Sequence, residues 1–555
     1  MERIYLKSRK ILAISAFAAG IFLLSGCHDF FNPDTESTLS SSDYITNSSE
    51  LYSGFLGITS SVQAVADQSI YLEGLRGDLL EPTDNAPENI RNIYNYTDIV
   101  NGTTLNGNSL ADPKGYYTII LNCNDFIKKA TDFRSKNSTA ISDASFNGLI
   151  SGTIRYKTWA YMMLAKIYGE AIWIDDPLTS YADISNYPVL AFDDVINKCI
   201  DYMENGVNGI TGKVTLDLSS SLFPGSTTET TTQEWNRVCP LYQILLEELY
   251  LWNGNYTKVV DNAINLLTQS GVNGDFLLNK GTEFSKWVAL SYSFNRDENI
   301  FISLYDYTKN QNNHLVTYFS NYFPNNYYMR PTQVAMDRFN NQVQTSGTLG
   351  DPYRGKGYTF TSVNGQWVLT KYTRNNATSS TVYKSDNMIS LYRASDIYLF
   401  LIEALANLGR FQEAYVLLNG GIEGFLNSTG SFNHPFESYP TSLASDPTST
   451  SWGANQGIRG RPDPSVLKAV GDSLYTTTKT AFQQKWDSIL VEEAGLESAG
   501  ESRAYYAMIR TSKRWGDTKR AMWAAKVTAK YSDGSAIYTK LAADINNWFI
   551  KYKLK

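Results

Sequence analysis

The sequence predicts a mostly α-helical protein, in which tetratricopeptide-like helix pairs form a superhelical scaffold carrying long loops and a small β-hairpin region. Three observations carry that prediction. The first is the stretch 387–419, where Ile397, Leu401, Ala404, Leu405 and Leu408 recur at steps of three and four before Gly409. Ala414, Tyr415, Leu417 and Leu418 then resume the pattern, as two amphipathic helices around a tight turn would. The second is a similar unit at 240–267. There Tyr242, Leu245, Leu246 and Leu249 precede Gly254, and Tyr256, Val259, Val260, Ala263 and Leu267 follow it. The turns align as Gly254-Asn255-Tyr256 with Gly409-Arg410-Phe411. A helix pair of this kind cannot cover its own apolar face, so it stacks on neighbours. The third is the run of further helical segments separated by polar stretches, described next in chain order.

The N-terminus reads as an export signal. Arg3, Lys7, Arg9 and Lys10 are a positive start, residues 11–24 are apolar but short for a bilayer span, and Leu24-Ser25-Gly26-Cys27 follows. This resembles the bacterial lipobox, which implies cleavage before Cys27 and acylation of that cysteine. Several acyl chains, at about 0.8 kcal/mol per buried methylene, hold a protein firmly to a membrane. Residues 1–26 are then a signal peptide and 27–49, poor in core-forming side chains, a tether. Residues 50–555 form a single helical domain, with an N-terminal part of about 50–270 and a C-terminal part of about 271–555.

Helices are expected over 51–65 and 70–80, followed by a break at Glu81-Pro82-Thr83-Asp84-Asn85 and a long loop from Ala86 to Leu110. Residues 114–133 and 154–168 are helical again, the latter stopped by Gly169, and 192–204 supplies a partner helix. The stretches 212–237 and 427–460 are rich in Ser, Thr, Gly, Asn and Pro, and loops of that length are commonly functional. Alternation around Asn364-Gly365 predicts a hairpin. Near the C-terminus, residues 481–510 read as two helices, the first rich in Glu.

Composition narrows the function. The chain is 43% hydrophobic and 19% charged with net charge −7, which offers no concentrated basic surface for nucleic acid. The C-terminal Lys513, Arg514, Lys519, Arg520, Lys551, Lys553 and Lys555 read as a solvated helix face. Beyond Cys27, the cysteines at 123, 199 and 239 show no C-x-x-C spacing and are expected as buried apolar residues. Three scattered histidines (28, 314 and 434) do not make a zinc site. No metal-loop motif and no cofactor motif is present. Gly350 to Gly357 imitates a phosphate loop, but Gly357 stands where Ser or Thr is needed, so a turn is expected. The adjacent pairs Asp175/Asp176, Glu247/Glu248 and Glu492/Glu493 are expected on the surface, since neighbours on a helix do not face each other across a scissile bond.

Aromatic density stands out between Trp287 and Tyr328, where Tyr and Phe are interleaved with Asn. Flat rings cover the C–H face of a sugar and amides bond its hydroxyls. Phe301, Phe319 and Phe323, without a polar tip, are expected in the core.

The run LYRASDIYLFLIEALANLGRFQEAYVLLN, the Ser/Thr/Asp segment after Cys27, the helix ending in Tyr168-Gly169 and the closing segment with Arg503 and Arg510 together resemble the SusD/RagB family. That family comprises surface lipoproteins partnering TonB-dependent transporters in Bacteroidetes-type bacteria. The resemblance implies a non-catalytic protein, lipid-anchored on the outer face of the outer membrane. It would capture a nutrient, most often an oligosaccharide, and deliver it to a SusC-like β-barrel. A lid protein without tight ligand binding and a surface glycan-degrading enzyme are the alternatives. The family's loops, mapped here, contain Asp78, Asn92, Tyr94 and Tyr96, and Trp287, Tyr292, Asn295 and Tyr305. These are the ligand-binding residues that the resemblance implies.

Overall fold

The computed structural model describes residues 45–178, 186–216, 218, 237–268, 278, 298–373, 384–419, 457–460, 467–471 and 477–554. Cys27, Trp287, Tyr292 and Asn295 lie outside them, as do most of the two long polar stretches. The helices of seven or more residues are α1 (Ser48–Gln63), α2 (Gln68–Arg76), α3 (Glu88–Tyr94), α4 (Lys114–Lys136), α5 (Asp143–Tyr168), α6 (Phe192–Asn205), α7 (Tyr242–Asn253), α8 (Tyr256–Thr268) and α9 (Gln333–Asn340). They continue with α10 (Ala394–Leu408), α11 (Phe411–Leu418), α12 (Lys479–Glu497), α13 (Ala504–Trp515), α14 (Asp517–Thr528) and α15 (Ser535–Ala543). The fold is mostly α, as the hydrophobic periodicity predicts.

Both central hairpins form. Gly254 and Gly409 cap α7 and α10 at φ 79° and 82°, a left-handed conformation in which any side chain is strained. Helices then pack one on the next: α1 on α4, α4 on α5, α5 on α6, α6 on α7, α7 on α8 and α8 on α10. From there α10 also meets α11 and α12, and α12, α13, α14 and α15 continue the stack. Helix α5 is its spine, buried from Gly148 to Tyr168 on every face, as expected of a helix that is covered all round. The chain end returns to it, with Ile550 N donating to Ile167 O at 2.9 Å and Leu105 N to Lys551 O at 2.8 Å.

Among the described residues the named strands form short antiparallel pairs: Leu80–Pro82 with Met329–Pro331, Glu170–Ile172 with Val189–Ala191, Asn299–Ser303 with Ile389–Arg393, and Phe360–Val363 with Gln366–Leu369. The last is the expected hairpin, with Asn364 and Gly365 at φ 51° and 80°, the double positive φ of a type I′ turn.

Several expectations are corrected. The loop at 86–110 holds α3, whose Ile90 and Ile93 are fully buried. One apolar pair three residues apart is too short a pattern to register as periodic. Glu247, Glu248 and Glu493 are buried, although Asp175 and Asp176 are exposed as expected. Glu248 takes the Lys166 ammonium at 2.6 Å, and Glu493 takes Arg354 and Arg459 at 2.7 and 2.8 Å. A buried carboxylate is tolerated when a cation accompanies it. Arg514 and Lys519 of the basic C-terminal stretch also point inward, Arg514 onto Glu403 at 2.7 Å and Lys519 Nζ onto Gln484 O at 2.7 Å. Phe301 and Phe319 are core, whereas Phe323 is 92% exposed. Asn325 N donates to Tyr322 O at 2.9 Å, so Phe323 occupies the corner of a turn. The three cysteines are free and buried, as expected, and Gly350–Gly357 is a turn whose Arg354 enters the core.

Candidate functional site

A cleft of about 830 Å³ opens between α1 and the start of α4, closed at one end by α2 and the segment 314–318. It falls in the size range of small-molecule and oligomer sites. Local sequence shapes it. Ser53, Gly54, Gly57, Ser60, Ser61 and Ala64 give α1 a wall of small side chains. Gly115, in the first turn of α4, lets Val65 close beneath, since a Cβ there would stand 2.1 Å from Val65 Cγ1. Across the cleft, Asn122 Nδ2 donates to Ser61 Oγ at 2.8 Å and ties α4 to α1.

The closed end holds the aromatic and polar chemistry. His314 Nδ1 lies 2.8 Å from Asp67 Oδ2, and the His314 backbone N–H donates to the same oxygen at 2.8 Å. The hydrogen bond to Asp67 raises the His314 pKa above its ordinary value, against the opposing effect of burial. The His314 ring stacks on Tyr318 at 5.2 Å between centroids; Tyr318 meets Tyr71 edge-on at 5.8 Å and Tyr328 at 5.6 Å. Asp67 and Gln68 are almost completely buried at the floor, while more than half of the His314 side chain is exposed. Gln68 Nε2 donates to Leu110 O and Asp112 O at 3.1 and 3.0 Å, and its Oε1 has no partner among the described residues. Asn89 on α3 completes the rim.

Of the residues that the sequence resemblance pointed to, five are described and none lines this cleft. Asp78 is buried, with its carboxylate on Arg338. Tyr96 is also buried, with Arg76 Cζ 3.9 Å above its ring and its hydroxyl on Arg76 O. Tyr94 packs on Tyr531 at 4.7 Å, with Lys530 Nζ 4.5 Å from its ring. Tyr305 donates to Gln63 O at 2.7 Å, behind the end of α1. Asn92 follows Asn89 by three residues on α3 and so shares its side of that helix. Sequence reasoning missed Asp67, Gln68, Tyr71 and His314. Tyr318 did lie in the aromatic stretch that stood out, and that stretch was the available signal.

Among the described residues no group of three or more His, Cys, Asp or Glu could hold a metal ion. No described helix is long and apolar enough to cross a membrane.

Comparison with known proteins gives the fold a name. No family model matches the sequence, and no curated protein is similar to it. Solved structures do match. A SusD superfamily protein from Bacteroides vulgatus superimposes with a TM-score of 0.59 at 14% identity, covering 89% of this chain and 92% of that one. A SusD homolog from Bacteroides thetaiotaomicron gives 0.57 at 13% identity, covering 90% and 92%. A SusD-like carbohydrate binding protein from Bacteroides vulgatus gives 0.54 at 14% identity, covering 84% of each chain. This chain has the SusD-like fold.

Proposed function

We propose that this chain is a non-catalytic carbohydrate-binding protein of the bacterial cell surface, which captures an oligosaccharide in the α1–α4 cleft and delivers it to a SusC-like TonB-dependent transporter. The observation that carries the reading is the closed end of the cleft. There the stacked rings of His314 and Tyr318 stand beside Asp67 and Gln68 in a volume of about 830 Å³. Rings supply the apolar face a pyranose packs on, and buried polar groups fix its hydroxyls. A similar solved structure is that of a SusD-like carbohydrate binding protein, which supports the ligand class.

Residues 1–26 act as the signal peptide, Cys27 carries the lipid, 27–49 tether the body, and 50–555 act as one domain of two parts, about 50–270 and 271–555. The lipobox-like Leu24-Ser25-Gly26-Cys27 supports an anchor on the extracellular side of the outer membrane. Trp287, Tyr292 and Asn295 are proposed to add contacts to the bound glycan.

Calorimetric titration of the chain from His28 onward with a panel of plant, host and microbial oligosaccharides tests the capture step. Heat from at least one glycan, lost in Tyr318→Ala when both proteins are titrated well below the melting temperature that loss of this buried ring lowers, is the expected result. Co-purification of the full chain with a β-barrel from outer membranes tests delivery.

A further inference from the structure

Resting on that reading, the closed end of the cleft also indicates which carbohydrates enter it. Beside the Tyr71 and Tyr318 hydroxyls, which can donate or accept, three polar groups there have free positions that only accept. Asp67 commits Oδ2 to the backbone N–H and Nδ1 of His314, and its Oδ1 has no partner among the described residues. The two carbonyls on Gln68 Nε2 fix the orientation of that amide, so the partnerless atom, buried at the floor, is the oxygen Oε1. Neutral His314 donates from Nδ1 to Asp67, which leaves Nε2 as a lone-pair acceptor on the exposed part of the ring.

The charges of the lining point the same way. Asp67 lies under the closed end, and Asp112 and Asp125 line the α4 side. Lys114 is the one Lys or Arg among the described lining residues, and it stands beside Asp112; Asp125 carries its own partner, Lys129, at 3.0 Å. No arginine fork, the usual recogniser of a carboxylate or sulfate, is among the described lining residues. Of the titratable groups, Asp67 and Tyr318 touch His314 directly, and Tyr71, Asp112, Lys114 and Asp125 line the same cleft.

We propose that the cleft selects uncharged glycans over polyanionic ones, with vicinal hydroxyls donating to Asp67 Oδ1, Gln68 Oε1 and His314 Nε2. A hydroxyl can donate to each of these atoms. A uronate or sulfate oxygen can only accept, so at these three atoms it finds no donor, and the buried Asp67 carboxylate beside them adds charge repulsion that the two tyrosine hydroxyls do not offset. Protonation of His314 turns Nε2 into a donor and adds a positive charge, so the rejection of anions weakens at acid pH.

The test is calorimetry at pH 8 on the chain from His28 onward, with two sets of probes: neutral oligomers of α-glucan, β-mannan and xylan, and anionic oligogalacturonate and heparosan oligomers. The expected result is a neutral binder, with every anionic probe at least tenfold weaker. Asp67→Asn should weaken the neutral ligand about tenfold, and His314→Gln, at a half-exposed position with little packing to lose, several-fold, with melting temperatures recorded for both. An anionic oligomer binding as tightly as the best neutral one overturns the inference and leaves the cleft as a carbohydrate site. A neutral binder indifferent to His314→Gln and to a folded Asp67→Asn also overturns it. Silence from both sets removes the capture reading itself, and this inference with it.

Discussion

Arg510 grips Glu403 in a two-point fork, with Nε to Oε1 at 2.8 Å and Nη2 to Oε2 at 2.6 Å, both side chains buried between α13 and α10. The same arrangement recurs about two turns toward the start of each helix, where Arg503 Nε reaches Asp396 Oδ1 at 2.7 Å. The C-terminal helices are therefore locked onto the central hairpin by planar ion pairs as well as by apolar contact.

Arg510→Ala should destabilise the protein by about 3 kcal/mol, because Glu403 stays buried with only Arg514 left to pair it. Replacing both partners, as Arg510→Met with Glu403→Leu, should recover much of that loss. Urea unfolding midpoints of the two variants decide the matter.

Acid should unfold this contact in a defined window. Burial pushes the Glu403 carboxyl upward, but Arg510 and Arg514 more than offset it and hold the pKa near about 2, against 4.5 for the free group. A depressed folded-state value gives stability that is present above 4.5 and lost as pH falls from there toward 2. Melting temperatures between pH 6 and 2.5 should fall more steeply in the wild type than in Glu403→Gln.

Glu73 should behave in the opposite sense. Burial raises its carboxyl to about 7, and Tyr505 N donates to it at 2.9 Å. A raised folded-state value gives stability that is full below 4.5 and lost as pH rises through about 7. Glu73→Gln should match or fall below the wild type at pH 5 and exceed it at pH 8, as read by thermal unfolding at the two pH values.

Gly254 isolates the cost of the hairpin turn. A Cβ built there meets nothing closer than the Tyr256 hydroxyl oxygen at 4.0 Å, yet φ is 79°. Gly254→Ala should therefore cost about 1 kcal/mol from backbone strain alone. Gly254→Asn, which tolerates the left-handed region better, should cost less. Paired denaturation curves compare the two.

What the sequence made legible was local. The α7–α8 and α10–α11 hairpins are written in apolar spacing around one glycine each, and the Asn364-Gly365 turn in two residues that accept positive φ. Strand Ile389–Arg393 was not legible, because all five residues are buried and no alternation marks it. Nor were the buried carboxylates: Glu497 is acceptable inside only because Arg354 and Arg393, distant in sequence, arrive at 3.1 and 2.8 Å. The closed end of the cleft is the extreme case. Asp67 and His314 are separated by 247 positions, and a lone histidine in a polar segment carries no pattern that names its partner.

The central claim is tested most directly by calorimetric titration of the chain from His28 onward with the neutral glycan panel, wild type beside His314→Ala and Tyr318→Ala. The account predicts saturable binding of at least one neutral oligosaccharide, weakened tenfold or more in Tyr318→Ala, titrated below the melting temperature that loss of this buried ring lowers, and several-fold in His314→Ala. Binding that both variants leave intact, or no binding across the panel, would contradict it.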